Sequence, residues 1–245
     1  MTVSHTVAVS DTVAASRPWR LADLTWPEVA ERAAASVLAV PLGATEQHGP
    51  HLPFTVDTEL ADALCERLAR ARPWVVMAPA LPYGSSGEHS GFPGTLSIGQ
   101  QAVELLLVEL VRSADAFAGV LLVCGHGGNA VPLRRAVARL RHEGRRVLAW
   151  LPGGPADDAH AGRTETSAML ALRGQAVKLD RGEPGVTRPL GELLPVLRES
   201  GLRAVSPNGV LGDPTGSSAH TGTQILDTWA RALITEADRW RDSLP

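Results

Sequence analysis

The chain has 245 residues, 44% of them hydrophobic and 20% charged, with a formal net charge of -3. That length accommodates one sizeable α/β domain with a full core, and the charge balance gives no reason to expect a nucleic-acid or acidic-membrane partner. No apolar run approaches the roughly 18 residues of a membrane helix, and the N-terminus lacks a basic region followed by an apolar one. The expectation is a cytoplasmic protein whose partners are small molecules or peptides, with residues 1–16 as a flexible tail and 17–245 as a single domain. Cys65 and Cys124 lie inside apolar segments and read as free buried thiols, which fits a reducing compartment.

In chain order, Thr25-Trp26-Pro27-Glu28 reads as a helix start. Thr25 serves as cap, Pro27 sits in the first turn and Glu28 in capping-box register, leading into Val29 to Ala35. Val37 to Leu42 reads as a first strand. Asp57 or Thr58 can cap a second helix, in which Leu60, Leu64 and Leu68 recur at a spacing of four and Ala61 and Cys65 widen the stripe. Trp74 to Ala78 is the next strand. Pro79 to Ser97 is dense in Gly, Ser and Pro and must be a long irregular connection, a type that often carries function. Helix Ile98 to Ala116 buries Val103, Leu106, Leu107, Leu110 and Val111. Val120 to Cys124 is a continuous apolar run, as in a strand buried on both faces of a parallel sheet. Gly125-His126-Gly127-Gly128-Asn129 turns it into the helix Ala130 to Glu143, with Asn129 as its cap. Val147 to Leu151 makes a fourth strand, followed by a helix from Thr164 to Leu172. Val177 to Leu179 is a candidate fifth strand, and Thr221 to Trp240 a last long helix with Ile225, Trp229 and Leu233 on one stripe. Repeated strand–helix alternation predicts a three-layer α/β/α sandwich with a mostly parallel central sheet.

In such sheets ligands gather beyond the carboxyl ends of the strands. The chain places Glu46, His48 and His126 there. Glu46 and His48 are two residues apart, so on extended backbone they point to the same side and can reach two neighbouring ions. Asp57 can bridge those ions, and His126 can complete the shell of the first. His160-Ala161-Gly162-Arg163-Thr164-Glu165 offers another imidazole and carboxylate, with Glu165 the candidate for the second ion. Two divalent ions roughly 3.5–4 Å apart can share a hydroxide and polarise a scissile carbonyl, which is the chemistry of amide hydrolysis. Three carboxylates offset the ionic charge, while the imidazoles favour zinc, iron or manganese over calcium or magnesium. His160 is suited to deliver a proton to the leaving amine. His51 reads as a supporting or packing residue, and Glu88 and His89 either line the pocket or stabilise their loop.

These residues resemble the signatures of the creatininase family of metal-dependent amidohydrolases. The matching stretches are Gly43-Ala44-Thr45-Glu46-Gln47-His48-Gly49-Pro50-His51-Leu52-Pro53, Asp57, Gly125-His126-Gly127-Gly128-Asn129 and His160-Ala161-Gly162 to Glu165-Thr166-Ser167. The resemblance covers Val37 to Leu172 well and continues more weakly beyond. It implies that Glu46, Asp57 and His126 hold one ion, and His48, Asp57 and an acidic residue the other. It also implies assembly into a homo-oligomer, hexamers being common. The family enzyme that acts on creatinine carries that acidic residue two positions after the motif histidine, and an aromatic one directly after it. Here those positions are Gly128 and Gly127, so Glu165 is the evident substitute and creatinine is not the expected substrate.

A branch of the family resembles this chain further, through Ser86-Gly87-Glu88-His89, Phe92-Pro93-Gly94-Thr95-Leu96-Ser97-Ile98-Gly99 and Gly209-Val210-Leu211-Gly212-Asp213-Pro214. That branch releases a modified C-terminal Val-Tyr unit from a ribosomally made precursor peptide, so the resemblance implies a modified precursor peptide as the partner. Two other readings are weighed against it. One keeps the metals but takes a cyclic amide or formamide; the other makes the Gly-rich turn a nucleotide-binding module. Gly125 to Asn129 lacks both the lysine-bearing phosphate loop and the G-x-G-x-x-G spacing.

Overall fold

The computed structural model describes residues 19–244; the expected tail at 1–16 lies outside them. Its centre is a four-stranded sheet of β1 (Val37–Leu42), β2 (Val75–Met77), β3 (Gly119–Cys124) and β4 (Val147–Trp150), in the order β2-β1-β3-β4. Every pairing is parallel, with Leu42 opposite Cys124 at the carboxyl ends of the two central strands. The helices are α1 (Trp26–Ala30), α2 (Val56–Ala71), α3 (Gln100–Ser113), α4 (Ala130–His142), α5 (Arg163–Arg173), α6 (Leu190–Ser200), α7 (Leu202–Val205) and α8 (Ala219–Asp242).

Alternation along the strands divides the core in two, because successive side chains leave a strand on opposite faces. Leu38, Val40, Leu42, Leu122 and Cys124 pack with Val103, Leu107 and Val111 of α3 and Leu133, Ala136 and Leu140 of α4. Val37, Ala39, Leu121 and Val123 pack on the other side with Leu64, Cys65 and Leu68 of α2 and Ala230 and Leu233 of α8. This is the expected three-layer α/β/α arrangement, and both cysteines are free and buried within it.

Several local expectations need correction. Val177 to Leu179 is not a strand: the segment runs between short 3-10 turns at Gly174–Ala176 and Leu179–Arg181. Its Lys178 N–H donates to the His51 carbonyl in the loop after β1, so it supports that loop and adds no edge to the sheet. Helix α2 starts two or three residues earlier than expected, with Thr55 in the cap position. Asp57 is therefore inside the first turn, and Thr58 bonds the Ala44 carbonyl at 3.1 Å instead of capping. The first helix is shorter, since α1 ends at Ala30 and only a 3-10 turn, Ala33–Ala35, precedes β1. The Thr25 N–H does donate to Glu28 at 2.7 Å, as the capping-box register requires.

Candidate metal centre

Four connections converge above the carboxyl ends of β1 and β3. The loop after β1 carries Glu46 and His48, the first turn of α2 carries Asp57, the turn after β3 carries His126, and the turn before α5 carries His160, with Glu165 in that helix. Close backbone approach is what brings them together. A Cβ at Gly125 would lie 2.2 Å from the Asp57 carbonyl oxygen, so only glycine lets the His126 turn sit against α2. Ala161, between His160 and the helix, adopts a left-handed conformation with φ of 53° that non-glycine residues rarely take. Strain of this kind persists only where its surroundings hold it, and here the Ala161 N–H donates to Glu165 at 2.6 Å.

Glu46, His48, Asp57, His126 and His160 are all buried. Asp57 Oδ1 lies 3.3 Å from His48 Nε2, and Asp57 Oδ2 lies 3.3 Å from His126 Nδ1. One carboxylate thus faces an imidazole on either side, the arrangement expected of a bridge. Glu46 Oε2 is 3.2 Å from His126 Nε2, and Glu165 Oε2 is 3.7 Å from His48 Nε2. His48 Nδ1 lies 3.1 Å from the Glu46 carbonyl and donates to it, which turns Nε2 toward Asp57 Oδ1 and makes Nε2 the nitrogen a metal would take. Candidate ligand atoms within 4.8 Å of one another occur in three groups: Glu46, His48 and Asp57; His48, His160 and Glu165; and Glu46, His89 and His160. With the contacts of His126 to Glu46 and Asp57, the structure brings together Glu46, His48, Asp57, His126, His160 and Glu165, and it places His89, read in the sequence as a pocket or loop residue, beside Glu46.

The electrostatics are those of a site short of positive charge. Burial opposes charging His48 and His126, yet the surrounding carboxylates raise both to about 10: Asp57, Glu165 and Glu46 around His48, and Glu46 and Asp57 around His126. Burial also pushes Glu165 up to about 7, against the pull of His48, and raises Asp57. Glu46 is held well below the usual carboxylate range by His126, His89 and His160, which overcome its burial. Both Glu46 carboxylate oxygens and Asp57 Oδ2 are buried with no hydrogen-bond partner. Buried anionic oxygens without donors are costly, so their presence in a nest of imidazoles fits divalent cations.

Position 128 accounts for the missing family carboxylate. A Cβ there would stand 2.4 Å from His126 Nε2 and 2.5 Å from both Glu88 Oε1 and the Ser85 carbonyl. The Glu88 carboxylate thus occupies the approach that a larger residue 128 would need, while Glu165 reaches the cluster at His48. Asn129 holds the cap position of α4 but does not cap it. Its amide accepts from Ser85 N–H at 2.8 Å and donates to the Gly43 carbonyl at 3.0 Å, latching two connections of the site. His51 donates or accepts at Thr166 Oγ1, 2.8 Å away, bracing α5 beside Glu165 as the sequence suggested. Glu46, His89, His126 and His160 open onto a cavity of about 880 Å³, whose outer wall includes Arg134 and Leu190, Leu194 and Leu197 of α6. Carboxylates at 46 and 88 line the cavity beside the Gly-rich turn and would repel a phosphate, against the nucleotide-binding reading.

The sequence matches the creatininase family, described as creatinine amidohydrolase, over residues 22–236. A mycofactocin precursor peptide peptidase of Mycobacterium ulcerans (strain Agy99) is 44% identical over 225 residues, covering 88% of this chain and 86% of its own. The protein of that name from Mycolicibacterium smegmatis (strain ATCC 700084 / mc(2)155) is 46% identical over 212 residues, covering 84% and 85%. A solved creatininase variant of Zn-Zn type is 28% identical with a TM-score of 0.77, covering 94% of this chain and 100% of that one. A second creatininase structure, described with manganese, is 28% identical with a TM-score of 0.76, covering 93% and 99%. With the parallel sheet, the acid–imidazole cluster at its carboxyl end and a match across most of its length, the chain belongs to the creatininase family of hydrolases.

Proposed function

We propose that the chain is a metal-dependent peptidase that releases the modified C-terminal Val-Tyr unit of the mycofactocin precursor peptide. The observation that carries the hydrolytic part is the set of buried oxygens on Glu46 and Asp57 without hydrogen-bond partners, set among imidazoles of which His89, His126 and His160 line a large cavity together with Glu46. The choice of substrate rests on relatives of that name at 44% and 46% identity. It is also supported by Gly127 and Gly128, which lack the side chains used on creatinine by the family's creatinine-cleaving member.

In this reading Glu46, Asp57 and His126 hold one divalent ion, and His48, Asp57 and Glu165 hold the second, with zinc, iron or manganese as the metals. When bound, such ions polarise the scissile carbonyl and make water a competent nucleophile near neutral pH. The protein's own contribution is to orient the ligands, exclude bulk water and move protons. His48, fixed by its bond to the Glu46 carbonyl, presents one nitrogen only. Glu165, as a ligand, would be held deprotonated, so proton transfer falls to His160, which burial and the neighbouring His48 and His89 keep neutral and able to accept a proton and pass it toward the leaving amine. The cavity has room for the end of a peptide, and the leucines of α6 offer an apolar wall to an aromatic–aliphatic unit.

Incubation of the metal-loaded enzyme with the crosslinked precursor, and separately with creatinine, tests the assignment by mass spectrometry. Release of the terminal unit from the precursor is expected. Turnover of creatinine without the peptide reaction would overturn it in favour of a small cyclic amide.

A further inference from the structure

Gln47 lies between Glu46 and His48, two of the residues assigned as ligands, and its buried side chain touches two of the three histidines that line the cavity, His89 and His160. Gln47 Oε1 accepts from the Gly49 backbone N–H at 2.8 Å, and Nε2 donates to the Gly209 carbonyl at 3.1 Å. One of these backbone groups can only donate and the other can only accept, which fixes the amide's orientation. Gly209 is shaped around it: the residue has φ of 76°, and a Cβ there would lie 2.2 Å from Gln47 Oε1.

The orientation has consequences for both rings. The remaining Nε2 hydrogen of Gln47 points at His89 Nδ1, 3.0 Å away, so that nitrogen accepts and the ring's proton sits on Nε2. His89 Nε2 faces Glu46 Oε1 at 3.4 Å. His160 Nε2 lies 2.9 Å from the Gln47 backbone carbonyl, which can only accept, so Nε2 is the protonated nitrogen there too. The 3.2 Å approach of Gln47 Nε2 to His160 Nε2 is then a contact between two donors and not a bond. His160 is left with its lone pair on Nδ1, which faces Glu46 Oε1 at 3.8 Å. The two neighbouring rings, with centroids 4.6 Å apart, thus present opposite functions beside Glu46 Oε1 where it lines the cavity.

We infer that Gln47 is a positioning residue that sets His89 as a hydrogen-bond donor, and His160 as an acceptor, toward the reacting amide. His89 is thereby a donor available to the substrate's carbonyl oxygen as charge develops on it, and not a metal ligand, although it lies within ligand distance of Glu46 and His160. The role in turnover rests on the peptidase reading; the assignment of protons to nitrogens does not.

Long-range proton–nitrogen correlation NMR on zinc-loaded protein labelled with 15N-histidine reads these tautomers directly. In the wild type, His89 and His160 are each expected to carry the proton on Nε2 alone. Gln47→Met, similar in volume but without a donor, should release His89 into a tautomer mixture. It should lower kcat about 100-fold, the scale of one lost oriented donor, with KM within about twofold and bound zinc unchanged. Gln47→Glu, which offers an acceptor, should move the His89 proton to Nδ1 and serves if the Met variant fails to fold. A wild-type His89 protonated on Nδ1 or bound to zinc through Nε2, or a tautomer indifferent to both substitutions, overturns the inference. Correct tautomers in an enzyme that leaves the precursor peptide intact would instead overturn the substrate assignment alone.

Discussion

At the residue scale, the weight of the account falls on Asp57, whose two oxygens face different histidines. Asp57→Ala should cost both ions and essentially all activity, since a bridging carboxylate serves two shells; metal analysis returning near-normal content would refute the bridge. Glu165→Gln should deplete one ion in preference to the other, because Glu165 stands 3.7 Å from His48 and no carboxylate exists at position 128. Equal retention of both ions would return the second site to another acid, of which Glu88 is the nearest to the turn of residue 128. His160→Ala should keep the metals and slow turnover by about 10²-fold, the scale of lost proton transfer, measured as kcat on the precursor. The candidate ligands were legible in the sequence because Glu46 and His48 follow an apolar strand at a spacing of two and His126 follows another. Gln47 was not, and His89 was read only as a pocket or loop residue, since nothing in spacing or composition reveals that an amide in one loop turns toward an imidazole in another.

At the scale of elements, what the sequence concealed was mostly short or interrupted. Strands β1, β3 and β4 were readable as continuous apolar runs between turn residues, and the stripes of α2 and α8 had clean helical periods, while in α3 Leu106, expected on the buried stripe, is exposed and Val108 is buried instead. Helix α6 has its own stripe of Leu190, Leu193, Leu194 and Leu197, but Pro189, Gly191 and the interior Pro195 break the pattern that would announce it. Its stability comes from tertiary packing of Leu193 and Leu197 against Leu202 and Leu211, contacts that local propensity does not encode. Asn129 illustrates the same limit. Its place before α4 reads as a cap, yet its amide is spent on Ser85 and Gly43, two connections far apart in sequence. Asn129→Ala would strand a buried N–H and a buried carbonyl, a loss of about 1–3 kcal/mol. Urea unfolding should register that loss, together with weaker metal retention; a variant as stable as wild type would show that the latch is dispensable.

For the whole molecule, the site's charge makes stability depend on pH in a defined direction. His48 and His126 rise from 6.5 to about 10 on folding, so their contribution is complete below 6.5 and is lost as pH climbs through about 10. Glu165, raised from 4.5 to about 7, acts with the same sign, losing its contribution as pH rises through about 7. Metal-free protein should therefore unfold at progressively lower denaturant as pH is raised from 6.5 to 10. Metal-loaded protein should lack most of this slope, because bound cations hold the same groups deprotonated. A midpoint for the metal-free chain that rises over that interval would contradict the charge arrangement described. Among the described residues no helix is long and apolar enough to cross a membrane. The homo-oligomer implied by the family resemblance is open to light scattering, with several chains per particle expected and a monomer at working concentration against it.

The most direct measurement is the metal content of protein purified without added metal and then brought to equilibrium with zinc or manganese. The account predicts two divalent ions per chain, falling to none in Asp57→Ala. A wild-type chain that binds no divalent ion under these conditions would contradict the metallohydrolase assignment at its root.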